Sequence, residues 1–231
     1  MTGSRSCQAW KITMKNEKIK VVLAADTHML HGRVKWPEGD ILVHAGDMTS
    51  YGSSGELEEF VGWLEQAPYE RVVVIAGNHD CVFTRDNSRA RKILESGKTT
   101  YLEDTGCEID GIRFYGTPWT FNDAYDDEHW AFGQRSEPGL QKKWEMIPRD
   151  VDVLVTHSPP INILDRTWSK ENVGSPSLLA EIAGRIKPRV HVFGHIHEAY
   201  GTAQRDGTTF VNACLCNQDY EPANNPVVVE I

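Results

Sequence analysis

Lys20-Val-Val-Leu-Ala-Ala-Asp-Thr-His28 decides the fold. A nearly unbroken apolar run, rich in β-branched residues, ends abruptly in a carboxylate and an imidazole. Such a run reads as a strand covered on both faces, and a strand of that kind belongs to a parallel sheet. The same grammar recurs downstream. Ile41-Leu-Val-His-Ala45 runs into Gly46-Asp47, and Arg71-Val-Val-Val-Ile-Ala76 runs into Gly77-Asn-His-Asp80. Between these two strands, Ser53 to Gln66 predicts a helix. Ser53 or Ser54 serves as its cap, and Leu57, Phe60, Val61 and Leu64 recur at helical spacing. Strand, helix and strand in succession imply parallel pairing in a covered sheet.

Further along, Asn87 to Ser96 predicts a short helix. Asp110-Gly111 and Asp206-Gly207 each predict a two-residue hairpin turn. Asp152-Val-Leu-Val-Thr156, Arg189-Val-His-Val-Phe193 and Val227-Val-Val-Glu-Ile231 read as strands, with a helix near residues 177–186. Residues 117–137, rich in Trp, Asp and Gly, read as a loop excursion. The expected organisation is a loose arm over residues 1–17 and one α/β domain over 18–231, built on two packed sheets.

Bulk properties narrow the function classes. Among 231 residues, 40% are hydrophobic and 25% charged, an ordinary globular balance. A chain of this size buries a core without structural metals, so any metal serves chemistry. The formal net charge is −9, which argues against general nucleic-acid binding, since that relies on basic patches. A small phosphate ester remains compatible, because cations reverse the local field. The five cysteines are scattered and odd in number, unlike a disulfide framework. Cys214 and Cys216 are read as free thiols. No stretch resembles a membrane span or an apolar leader, so no membrane partner and a cytoplasmic location are expected.

Five polar motifs close five predicted strands: Asp26-Thr-His28, Gly46-Asp47, Gly77-Asn-His-Asp80, Thr156-His157 and Gly194-His-Ile-His197. Ligands converge at strand C-termini in parallel α/β sheets. Carboxylates together with imidazoles suit divalent Zn, Mn or Fe. More ligand types are present than one ion needs. A carboxylate such as Asp47 can bridge two ions about 3.5–4 Å apart, the spacing that clamps an in-line phosphoryl displacement. Taken singly, each motif is ordinary: Asp26 as a turn cap, Asp47 as a loop residue, His157 as a satisfied histidine. Their common placement carries the reading.

The five motifs and their order resemble the calcineurin-like metallophosphoesterase superfamily, whose pattern is D-x-H, G-D, G-N-H-D/E, H and G-H-x-H. The resemblance spans residues 20–231. It is closest to a subgroup of metallophosphoesterase-domain-containing proteins first described from brain, through residues 39–47, 192–198 and 225–231. The resemblance implies a four-layer sandwich, two mixed β-sheets flanked by helices. It also implies two divalent ions, with Mn the expected activator. One ion would be held by Asp26, His28, Asp47 and His197, and the other by Asp47, Asn78, His157 and His195. Some members of the subgroup carry Gly in place of His195 and are weak enzymes; this chain keeps the histidine.

By the same resemblance, a metal-bridging hydroxide attacks phosphorus in line, and His79 protonates the leaving oxygen or stabilises the transition state. Asn78 and His79 are expected to touch the substrate. Asp80 is expected either to orient the His79 imidazole or to cap a turn. His44 and His191 are expected in the core or behind the ligands, and His31 and His129 in exposed polar loops, with contact to substrate a second reading for His31. Trp119, Phe121, Tyr125 and Trp130 are aromatic candidates for stacking on a nucleobase, although packing explains such residues as well.

After the bridging carboxylate the chain reads Asp47-Met-Thr-Ser-Tyr-Gly52. It lacks the Arg with which protein phosphatases of the superfamily grip a phosphomonoester. That favours a phosphodiester, with cyclic nucleotides as the subgroup's associated class. A phosphomonoesterase or protein phosphatase, a low-turnover nucleotide binder and an interaction scaffold stay open as alternatives, and so does the oligomeric state.

Overall fold

The computed structural model describes residues 18–95, 97–122 and 129–231. The expected arm over residues 1–17, together with Ser96 and Tyr125, lies outside them. In chain order the strands and helices are β1 (Lys20–Ala24), β2 (Ile41–Ala45), α1 (Ser54–Gln66), β3 (Arg71–Ile75), α2 (Val82–Arg85), α3 (Asn87–Leu94), β4 (Thr99–Tyr101), β5 (Thr105–Ile109), β6 (Ile112–Thr117), β7 (Thr120–Phe121), β8 (Gly133–Gln134), α4 (Glu137–Trp144), β9 (Val153–Thr156), α5 (Pro176–Glu181), β10 (Val190–Phe193), β11 (Gly201–Arg205), β12 (Thr208–Asn212) and β13 (Val227–Glu230).

Two mixed sheets carry the molecule. One runs β13-β1-β2-β3-β4 and the other β11-β12-β10-β9-β6-β5. Within the first, β1, β2, β3 and β4 are parallel, and β13 closes the edge antiparallel to β1. The two Asp-Gly dipeptides form the hairpins β5–β6 and β11–β12.

Alternation within the apolar runs explains the layering, because successive side chains of a strand point to opposite faces. Val21, Leu23, Ile41, Val43, Val73 and Ile75 face the second sheet, where they meet Phe114, Val153, Val155, Val192 and Val211. Their neighbours Val22, Leu42, Val72 and Val74 face outward onto Leu57, Phe60 and Leu64 of α1 and Ala90 and Leu94 of α3. The outer face of the second sheet presents Leu154, Phe193 and Phe210 to Leu140 and Trp144 of α4 and to Leu178 and Ile182. Helices, sheet, sheet and helices are therefore four layers, as the family resemblance implies.

Local signals set the helix boundaries. Ser53 accepts from the Glu56 amide while Glu56 reaches back to the Ser53 amide, a reciprocal capping box worth about 1 kcal/mol. The helix at Asn87 ends at Leu94, two residues short of the expected boundary. The expected helix over 177–186 starts at Pro176 and widens to π geometry from Ile182 to Ile186, ending at left-handed Lys187.

The expected loop over 117–137 contains the short parallel pair β7–β8. Helix α4 follows, and the sequence reading missed it. Its signals were a Ser136 cap, Pro138 in the first turn, and Leu140 and Trp144 one turn apart. Strand β4 was also missed, because only Tyr101 of its three residues is buried. Among the described residues, no helix is long and apolar enough to cross a membrane.

Candidate metal centre

The two sheets meet at their C-terminal ends. Ala25 forms a parallel bridge with Cys214, just beyond β1 and β12. His157, past the end of β9, donates from Nδ1 to the Ala45 carbonyl at the end of β2, across 2.8 Å. These links join the ends of β1, β2, β9 and β12, from opposite layers, around one depression.

At its floor lie two buried carboxylates, Asp26 and Asp47. His197 Nε2 is 3.3 Å from Asp26 Oδ1, and His157 Nε2 is 3.3 Å from Asp47 Oδ2. His28 Nε2 stands 3.8 Å from Asp47 Oδ2 and 3.3 Å from His197 Nε2. Asn78 Oδ1 is 3.0 Å from His157 Nε2. The His195 ring lies against that of His157, centroids 5.1 Å apart, and its backbone N–H donates to both Asp26 oxygens at 3.1 Å. The seven expected ligand residues thus share one depression.

Among the described residues, three sets of ligand atoms lie within 4.8 Å of one another: Asp26, His28 and His197; His28, Asp47 and His79; Asp26, Asp47 and His157. The second set includes His79, which was expected to act on substrate. His195 enters none of them.

The donor set fits divalent cations. The Nδ1 atoms of His157 and His197 are committed to the carbonyls of Ala45 and Asn217, at 2.8 and 2.9 Å. In a neutral ring this leaves Nε2, facing the carboxylates, as the lone-pair atom. Backbone carbonyls orient metal-binding histidines in just this way. The glycines contribute by what they lack. A Cβ on Gly194 would strike the Asp26 carboxylate, and one on Gly77 would strike that of Asp47.

Charge explains the proton distribution. Burial opposes ionisation of Asp26 and Asp47, yet the adjacent imidazoles hold both well below the ordinary carboxylate range. In return, and against burial, Asp47 lifts His157 to about 9 and Asp26 lifts His197 to about 9. Burial pulls His28 down to about 4 and His195 to about 3. Two imidazolium ions thus balance two carboxylates, the positive charge that cations supply on displacing those protons.

The backbone is strained where the ligand types cluster. Asp26, His28, Asp47 and His195 all have positive φ, at 52°, 40°, 56° and 72°. Non-glycine residues rarely sit there, and such strain gathers at functional sites.

Asp80 takes the turn role and not the orienting one. Its Oδ2 accepts from the amides of Gly77 at 2.8 Å and Asp47 at 2.9 Å. Its Oδ1 accepts from the Thr49 amide at 2.9 Å and the Thr49 hydroxyl at 2.7 Å. The His79 imidazole instead donates from Nδ1 to the Ser50 carbonyl at 2.9 Å. A buried carboxylate surrounded by amides is spent on them.

Other expectations sort as follows. His44 and His191 are buried behind the site, beside the hydroxyls of Thr27 and Thr156. His31 is buried, contrary to the expected exposed loop, because Phe60 and Trp63 enclose its ring. That packing removes it from the substrate. His129 is exposed.

Of the aromatic candidates, Trp130 lines the cleft. Trp119 is instead anchored by Asp104 and covered by Lys143, and Phe121 borders a separate hollow beside α4.

The cleft measures about 230 Å³ and is lined by Asp47, Asn78, His79, Trp130, His195, His197, Glu198, Gln218 and Tyr220. Tyr220 escaped the sequence reading. Its ring packs edge-on against His28 and His197 from a left-handed backbone, φ 56°. Nothing local in the sequence signals it. Cys214 was read as an ordinary thiol. It does remain free and buried, but Sγ donates to Asp26 Oδ2 at 3.1 Å. Its place just past β12 repeats the pattern of the other site residues and was available as a clue.

Similarity to known proteins agrees with this centre. Residues 19–199 match the family model described as calcineurin-like phosphoesterase. Human metallophosphoesterase domain-containing protein 1 is 36% identical over 234 residues, covering 92% of this chain and 71% of that one. A probable cyclic nucleotide phosphodiesterase of Synechococcus is 25% identical over 203 residues, 84% of this chain and 72% of that one. One crystal structure, 18% identical, superimposes with a TM-score of 0.64 over 84% of this chain and 90% of the other. Motif order, four-layer fold and sequence similarity lead to one assignment: the chain belongs to the calcineurin-like phosphoesterases, a family of dinuclear metal-dependent hydrolases.

Proposed function

We propose that this protein hydrolyses phosphodiesters, with cyclic nucleotides among the candidates. The observation that carries the reading is the cleft wall: among the described residues that line it, none is Arg or Lys. A phosphomonoester is close to a dianion at neutral pH and gains most from a fixed guanidinium. A diester carries a single charge and needs less. The similarity to a probable cyclic nucleotide phosphodiesterase supports the same class.

In this reading Asp26, His28, Asp47 and His197 would hold one ion and Asp47, Asn78, His157 and His195 the other. When bound, two divalent ions lower the pKa of water and offset charge on the phosphoryl oxygens. The chain supplies the remainder. Asn78 and His79 hold the ester at the rim. His79 keeps one proton on Nδ1 against the Ser50 carbonyl, and as imidazolium it donates a second, from Nε2, to the leaving oxygen.

The test is turnover of bis-p-nitrophenyl phosphate against p-nitrophenyl phosphate, with Mn, Fe or Zn and after chelation. Faster turnover of the diester in the metal-loaded protein is expected. A preference for the monoester overturns the reading, and so does equal turnover after the metal has been stripped.

A further inference from the structure

Beside the cleft runs a groove of about 650 Å³, bordered by Asp165, Arg166, Trp168, Lys170, Glu198 and Tyr200 among others. Glu198 is common to groove and cleft, and it directly follows the ligand-type residue His197. The two hollows therefore share a wall. The cleft, at about 230 Å³, is smaller than the roughly 300–1,000 Å³ typical of small-molecule sites. An ester of nucleotide size therefore extends beyond it. The groove is the adjoining space.

Its far wall is built with care. Asp165 is buried and accepts from the amides of Asn162 and Gly174, both at 2.9 Å, and from the Asn172 side chain. Arg166 bridges Asn172 across the loop, and a turn from Thr167 to Lys170 closes it. Asn162, Leu164 and Lys170 take positive φ, at 61°, 49° and 69°.

At the tip stands Trp168, 81% exposed, with its backbone N–H donating to Glu198 Oε1 at 3.3 Å. An indole left in water forgoes the gain of burial. Here the exposed ring sits on a loop pinned by the buried Asp165. Glu198 disfavours further anionic groups at the junction and accepts hydrogen bonds from hydroxyl or N–H groups.

We propose that this groove receives one alcohol arm of the phosphodiester: a flat, uncharged, hydroxyl-bearing group of the nucleoside class, stacked on Trp168. The inference rests on the phosphodiester reading for the placement of the phosphate. It adds Trp168 and Glu198 as the residues that select the arm.

The test is equilibrium binding to the metal-loaded full chain of two probes that share a phosphate, thymidine 5′-monophosphate and methyl phosphate. Tighter binding of the nucleotide is expected. Base stacking on an aromatic side chain contributes about 1–3 kcal/mol, so Trp168→Ala should reduce the nucleotide-to-methyl affinity ratio roughly 5- to 150-fold. Trp168→Phe, which keeps a flat face, should retain most of it. An unchanged ratio in Trp168→Ala overturns the subsite, and so does a wild-type ratio near one. Because binding is read without turnover, the outcome is separate from the hydrolysis test. A protein that selects thymidine 5′-monophosphate through Trp168 yet hydrolyses no diester keeps the subsite and loses the phosphodiesterase reading.

Discussion

The carboxylate of Asp80 accepts a hydrogen bond from the backbone N–H of Asp47 across 2.9 Å. The same carboxylate binds the amides of Gly77 and Thr49, so it ties the turn after β2 to the turn after β3. Two of the five site motifs are held in register by this one buried side chain. Burial and the nearby Asp47 charge push its pKa up to about 6, while the donors around it favour ionisation. Asp80→Ala strands the amides of Asp47, Met48, Thr49 and Gly77, at about 1–3 kcal/mol for each that stays unpaired. A loss of several kcal/mol in denaturant unfolding is expected, together with weakened metal binding. If Asp80→Ala lowers only kcat, with stability and metal affinity intact, Asp80 acts through His79 after all.

His79 tests a different link. Its Nδ1 is held by Ser50 and its backbone N–H donates to Asp47 Oδ1 at 2.8 Å. His79→Gln should lower kcat about 100- to 10,000-fold on esters with poor leaving groups, and much less for p-nitrophenolate, which leaves without a proton. Metal stoichiometry, measured by elemental analysis, should be unchanged. Loss of one ion per chain would instead make His79 a ligand, as its grouping with His28 and Asp47 allows.

Cys214 and the His195 amide both donate to Asp26 Oδ2, each at 3.1 Å. Groups that orient a metal ligand typically change affinity 10- to 100-fold when removed. Cys214→Ala should weaken metal binding by about that factor in a competition titration, and Cys214→Ser, which keeps a donor, by less. Equal affinity in the alanine variant would leave the thiol a packing residue.

Two histidines outside the metal centre set an acid limit on stability. Burial lowers His191 to about 3 and His31 to about 4, both from 6.5. Between these values and 6.5 the unfolded chain binds more protons than the folded one, so stability rises with pH across the window and is lost as pH falls from about 6.5 towards 4. Each pKa unit of depression is worth about 1.4 kcal/mol, so a drop of several kcal/mol by pH 4 is expected in metal-free protein. His191→Asn should flatten the profile in urea melts. A profile unaffected by that change would refute the contribution of His191.

The sequence by itself determined the strands and where they end. Val21 to Ala25, Ile41 to Val43 and Val72 to Ala76 are apolar on both faces and can be satisfied only between layers. The motifs that follow each run were legible for the same reason, since a carboxylate or imidazole cannot continue it. The two hairpins and a serine cap for α1 were equally legible, because turn and cap chemistry is local. Elements with few buried residues, such as β4, escaped.

Only the tertiary structure decided the partners. Asp80 turned from His79 to the amides of Asp47 and Thr49, because burial makes unpaired amides costlier than an unassisted imidazole. His31 went inside because Phe60 and Trp63 of α1 closed over it. Tyr220 and Trp168 entered the site or its border through chain separations that no local pattern encodes. Their positions follow from how two sheets and a strained loop pack, and pairing across such distances is settled by shape and desolvation, not by residue type.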